Sequence, residues 1–200
     1  MIIVISDTEL FTGEANAVNQ LFDSGLLLFH LRKYNNSNSE IVNFINQIES
    51  KYRSRIVLHQ FHEMANEFGL KRLHFSERDR LSKSEVEFKQ LQQSGMILST
   101  SVHSVEEYEN LSSVFDYAFL SPVFDSISKP DYKAQKFEIN KKSTIKLIAL
   151  GGINESNCQL VYEMGFDGVA LLGSIWKSEN NVEEFIIIKN KLAQIYAENI

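Results

Sequence analysis

Short apolar runs recur along this chain at nearly even spacing. They cover Ile2–Ile5, Leu26–Leu31, Arg55–Leu58, Arg72–Phe75, Met96–Ser101, Tyr117–Leu120, Lys146–Leu150 and Gly168–Leu172. Most are apolar on consecutive residues, as parallel strands covered on both faces are. The stretches between them carry helical spacing. Ala15, Val18, Leu21 and Phe22 make one apolar face, and Ile41, Phe44, Ile45 and Ile48 another. Leu160, Val161 and Met164 make a third, before Gly165, a residue suited to end a helix. The tail 182–200 repeats the pattern at Phe185, Ile188, Leu192 and Ile195, and is expected to close the fold as its last helix, with a part in homodimer contact left open.

Eight strands alternating with helices predict an α/β fold, a (β/α)8 TIM barrel in one domain over residues 1–200. A doubly wound open sheet is the competing architecture, but no GxGxxG loop follows the first strand. The segment 121–146 is the irregular unit, and a βα loop of that length usually carries function.

Composition narrows the classes. The 200 residues are 44% hydrophobic and 23% charged, ordinary for a globular protein with a sizeable core. A net charge of −6 argues against nucleic-acid binding, which leaves a basic footprint. The single cysteine, Cys158, excludes an intrachain disulfide or a multi-cysteine zinc site and suits a packing role. No apolar run approaches the length of a membrane span, and MIIVISDTEL reads as a first strand rather than a secretory leader. A cytoplasmic setting is expected.

In such barrels the active site is built from loops at the C-terminal strand ends. Those ends carry Asp7; His30, Arg32 and Lys33; His59 and Gln60; His74, Ser76, Glu77 and Asp79; Ser101 and His103. Past the sixth strand comes SPVFDSISK, with Ser126, Ser128 and Lys129 within four residues. Hydroxyls, backbone amides and an ammonium on one loop suit a phosphate or diphosphate. Alone, the same residues also make an ordinary polar surface loop. Gly151-Gly152 and Gly173-Ser174 follow the last two strands, where many barrels hold a phosphate, and Asn154 is a good N-cap beyond the first pair. Four of five histidines lie at or near the strand ends. They lack HExxH spacing, so zinc is not favoured over structural histidines.

Taken together, HLRK at 30–33, LHF at 73–75, STSVHSVEE at 99–107, DYAFLSPVFDSISK at 116–129, IALGGI at 148–153 and GFDGVALLGSI at 165–175 resemble the thiamine phosphate synthase family and its relatives, the thiazole tautomerases. The resemblance implies a barrel enzyme, a transferase of thiamine biosynthesis acting on small phosphorylated substrates. A hydroxymethylpyrimidine diphosphate loses pyrophosphate with Mg2+ assisting, and a thiazole phosphate nitrogen attacks the resulting cation. It implies Arg32, Ser126, Ser128 and Lys129 at the pyrophosphate, Ser101 beside the pyrimidine, and Gly152, Gly173 and Ser174 at the thiazole phosphate. It implies Asp79 as a metal ligand, with His30, Lys33 and His59 at substrate-binding positions. Four positions depart from the family pattern. His59-Gln60 replaces Asn-Asp, which removes one metal carboxylate. His30 replaces a glutamine, and Tyr34 replaces a lysine that Lys33 is placed to substitute. Three readings follow: a synthase with an altered metal site, a tautomerase using one of the histidines His30, His59 or His103, and a phosphate-ligand-binding protein without catalysis.

Overall fold

A computed structural model describes residues 1–125, 137–139 and 143–198. Eight parallel strands close a barrel in sequence order: β1 (Ile2–Ile5), β2 (Leu28–Leu31), β3 (Ile56–Leu58), β4 (Arg72–Phe75), β5 (Ile97–Val102), β6 (Tyr117–Leu120), β7 (Lys146–Leu150) and β8 (Gly168–Leu171). β8 pairs back onto β1, with Ile3 opposite Ala170. The single-domain barrel expected from the alternation is the architecture observed.

Around it run α1 (Glu14–Asp23), α2 (Asn38–Gln47), α3 (Ser50–Arg53), α4 (Glu77–Leu81), α5 (Glu85–Gln93), α6 (Val105–Glu109), α7 (Cys158–Glu163), α8 (Gly173–Trp176) and α9 (Asn181–Glu198). Serine side chains start four of them. Ser37 and Ser84 form capping boxes with Glu40 and Glu87, and Ser76 and Ser104 accept from Asp79 and Glu107 amides. The faces expected on α1 and α2 are buried, and so are Phe185, Ile188, Leu192 and Ile195 of α9. Burying a Leu, Ile or Phe stabilises by roughly 1.5–3 kcal/mol each, so these faces fix the helices on the barrel.

The bounds of three strands move by a single residue, and two expectations shift further. The second strand begins at Leu28 rather than Leu26. Leu26 and Gly25 donate to Leu21 and Phe22 carbonyls, and Gly25 takes φ +97°, so these residues end α1 instead of starting the strand. In α7 the buried face is Cys158 and Val161, while Leu160 is 47% exposed. A 3-10 turn at Glu155–Asn157, capped by Asn154, precedes α7 and sets a different phase from an uninterrupted helix. The Cys158 thiol is buried and pushed up to about 11 by desolvation, which makes it an inert packing group.

Inside the barrel, every second strand residue points inward. Ile3, Ile5, Leu28, Val57, Tyr117, Phe119, Ile148 and Ala170 form one interior cluster. The larger cluster lies between barrel and helices. The same inward parity places His30, His74 and Ser99 in the interior, each buried. Among the described residues, no helix is long and apolar enough to cross a membrane.

Candidate active site

A cavity of about 370 Å³ opens at the C-terminal rim of the strands. Its apolar floor and wall come from Ile5, Phe119, Leu150 and Ala170, and its polar lining from Arg32, His59, His74, Ser101 and His103. Gly151, Gly152 and Gly173 complete the far side.

Arg32 is held by its own backbone. The Ser6 hydroxyl, just past β1, donates to the Arg32 carbonyl at 3.0 Å and accepts from the Arg32 amide at 2.9 Å. The guanidinium has no ion-pair partner among the described residues. Burial draws its pKa down, against the pull of Tyr34 and Asp7, yet a guanidinium stays charged. This is a fixed cation awaiting an anion.

Lys33, expected to bind substrate, is turned away from the cavity. Its ammonium is fully buried against Glu14, at 2.6 and 2.8 Å from the two carboxylate oxygens, and it donates to the Glu9 carbonyl at 2.7 Å. The cause is strand parity. Residues 30 and 32 face inward, so residue 33 faces the helix layer. Desolvation pushes the Lys33 pKa down and the Glu14 pKa up, opposed in each by the partner. Tyr34, more than half exposed, lines the cavity instead.

Gln60 is committed to the backbone of β2's exit. Its Oε1 accepts from the Lys33 amide at 3.1 Å and its Nε2 donates to the Lys33 carbonyl. Phe61 follows at φ +54°, a left-handed turn for a bulky residue, and these two features shape the exit of β3. Asp79 accepts from the Ser76 hydroxyl at 2.7 Å and borders a neighbouring hollow with His59, Gln60 and His62, not the main cavity. Of the two family metal positions, Asp79 alone therefore keeps a carboxylate, while Gln60 is uncharged and spends its carboxamide on the backbone of residue 33, a weak donor set for Mg2+.

His30 also lies apart from the cavity. It is fully buried one layer below, with Nδ1 2.9 Å from His59 Nε2 and Nε2 2.7 Å from the Tyr117 hydroxyl. His59 and His74 stack with ring centroids 4.1 Å apart. His74 Nδ1 is 2.9 Å from Ser99 Oγ, and its Nε2 is 3.0 Å from Ser101 Oγ. Desolvation holds all three imidazoles neutral, with His74 lowered to about 3 and the nearby Arg32 charge adding to the effect. Three of the four strand-end histidines thus converge into one buried group.

The fourth, His103, stands separately at the rim. Its Nδ1 is 3.0 Å from the Ser121 carbonyl, and its Nε2 is 3.8 Å from Glu77.

On the glycine side, Gly152 takes φ +66°, and a Cβ there would overlap the Asp125 carbonyl and Phe124. Its carbonyl accepts from Asn157 Nδ2 at 2.9 Å, while no acceptor among the described residues takes its amide. Ser174 does not line the cavity, and its buried hydroxyl has no hydrogen-bond partner among the described residues. Ser126, Ser128 and Lys129 lie outside the described residues.

Ser6, Tyr117 and Phe119 were not singled out from the sequence as site residues. Their signal was present: Tyr117 and Phe119 share the inward parity of β6, and Ser6 follows β1 directly.

The comparisons agree with this geometry. The model of the family described as thiamine monophosphate synthase matches residues 2–175, spanning all eight strands. A thiamine-phosphate synthase of Listeria innocua is 34% identical over 146 residues, covering 67% of this chain and 65% of that protein. One of Staphylococcus saprophyticus is 26% identical over 191 residues, covering 87% and 86%. The crystal structure of a thiamine phosphate pyrophosphorylase from Bacteroides thetaiotaomicron is 32% identical and superposes with a TM-score of 0.77, covering 97% of this chain and 98% of that one. The sequence motifs, the closed barrel and the rim cavity converge on one assignment: this chain belongs to the thiamine monophosphate synthase family.

Proposed function

We propose that this protein is a transferase that joins a hydroxymethylpyrimidine diphosphate to a thiazole phosphate and releases pyrophosphate. The observation that carries this reading is the family match over the whole barrel, coinciding with a rim cavity lined by both the glycine turns and Arg32, which has no ion-pair partner among the described residues. Small phosphorylated substrates in a cytoplasmic setting accompany it.

The residues divide the work by charge. As the methylene–oxygen bond breaks, negative charge grows on the departing pyrophosphate, and Arg32 supplies a fixed cation there. Phe119 and the neutral imidazoles of His59 and His74 offer a pyrimidine ring a stacking wall without competing charge. Ser101 presents a hydroxyl beside that ring, oriented by His74. The Gly152 and Gly173 amides suit the phosphate of the thiazole, whose ring nitrogen forms the new carbon–nitrogen bond. Ser126, Ser128 and Lys129 belong to this reading as a second grip on the pyrophosphate.

The test is turnover of both substrates to thiamine phosphate, followed chromatographically. Arg32→Ala should lower kcat by about 10²–10³, the usual loss for a fixed transition-state donor. Absence of product while both substrates bind would remove the reading.

A second reading, proton transfer on a thiazole carboxylate phosphate, has one observation in its favour. The His103 ring is bonded to the Ser121 carbonyl, beside Pro122, the position that carries the proton-moving histidine in the tautomerase relatives. With Nδ1–H donating to that carbonyl, Nε2 is the basic nitrogen. His103→Ala should abolish tautomerisation if this reading holds; equal rates for the variant and the parent protein would exclude His103 as the base.

A further inference from the structure

The ring faces of His59 and His74 serve the synthase reading, but the clustering of their nitrogens with those of His30 does not enter it. We propose that His30, His59 and His74 form a binding site for one transition-metal ion of the zinc class, open on one side to the rim cavity. One ring nitrogen from each of the three lies within 4.8 Å of the others, and all three residues are buried. Four-coordinate zinc with Zn–N of about 2.0–2.1 Å places its ligand nitrogens about 3.3 Å apart. The 2.9 Å His30–His59 contact already has that scale, and the third nitrogen, on His74, lies within 4.8 Å of both.

The outer nitrogens suit ligation. Ser99 Oγ donates to the Leu73 carbonyl, so it accepts from His74 Nδ1–H and leaves His74 Nε2 with its lone pair, which the Ser101 hydroxyl shares until a metal takes it. The Tyr117 hydroxyl stands at His30 Nε2, where it accepts that N–H when Nδ1 carries a metal. Metal-bound histidines characteristically donate their second N–H to such a supporting group, and two of the three have one in place. The fourth position faces the cavity, because His59 and His74 line it and His30 does not. It would take water or a ligand oxygen.

The donor chemistry also points one way. β2 and the exit of β3 offer imidazoles at 30 and 59 and a committed carboxamide at 60, a set that is poor for a hard cation and good for zinc, cobalt or nickel.

The experiment uses the tag-free chain, stripped with a chelator and titrated with Co2+ without substrates, so its outcome is independent of the synthase reading. One Co2+ per chain should be retained, with the intense visible bands of four-coordinate cobalt. His59→Asn should weaken retention by more than the roughly 10–100-fold that loss of a supporting partner costs. If that variant fails to fold, X-ray absorption of the zinc-loaded parent decides: three imidazole nitrogens support the site, and an oxygen-only shell overturns it. Failure to retain metal, or unchanged retention in a folded His59→Asn, means the trio is only a hydrogen-bonded core network.

Discussion

At the residue scale, Lys33 and Glu14 show how far side-chain identity can mislead. A lysine beside a pocket arginine invites a role in binding anions, yet its ammonium is buried on a carboxylate. Breaking such a pair is costly because one charge stays buried alone. Lys33→Met should destabilise the fold by about 3–5 kcal/mol, read by urea unfolding, and adding Glu14→Leu should recover most of that loss. The place of Arg32, Ser101 and Gly152 on the cavity wall was legible because each stands where the family motifs and the strand ends agree. Lys33 was legible in principle, since it is one residue out of phase with His30 and Arg32. His30 followed the right parity but lies too deep, because it is within β2 while Arg32 is beyond its end. Depth along a strand is set by barrel register, which a single sequence does not display.

At the scale of elements, the strands and major helices were legible from periodicity, while their ends depended on local turn chemistry. The Gly25 turn moved one strand start, and the 3-10 turn before α7 rotated the following face. The exit of β7 is the most demanding of these joints. Gly152→Ala would place a methyl group against the Asp125 carbonyl at a left-handed φ. The expected outcome is about 1–3 kcal/mol lost in urea unfolding, together with a raised KM for the thiazole phosphate in initial-rate assays. A change confined to stability would separate this turn from ligand binding.

For the whole molecule, the barrel interior is the telling region. It holds three histidines that are neutral when folded and ordinary when unfolded. Below about pH 6.5 the unfolded chain takes up protons that these rings refuse, so stability is lost as pH falls. Each histidine contributes a slope of up to about 1.4 kcal/mol per pH unit, continuing for His74 toward its folded value of about 3. Urea midpoints measured between pH 7 and pH 5 should fall steeply, and His30→Gln should flatten the decline. An equal slope in that variant would place the acid sensitivity elsewhere. Trp176, meanwhile, is the only tryptophan of the chain. Its indole N–H donates to the Ile5 carbonyl, its ring packs edge-on to Phe11 and Phe29, and it ends the short helix that begins at the cavity-lining Gly173. That placement gives the protein a built-in optical reporter: a single emitter one short helix away from the cavity wall, whose fluorescence is expected to change as the Gly173 side of the cavity is filled, read by titration without any added label.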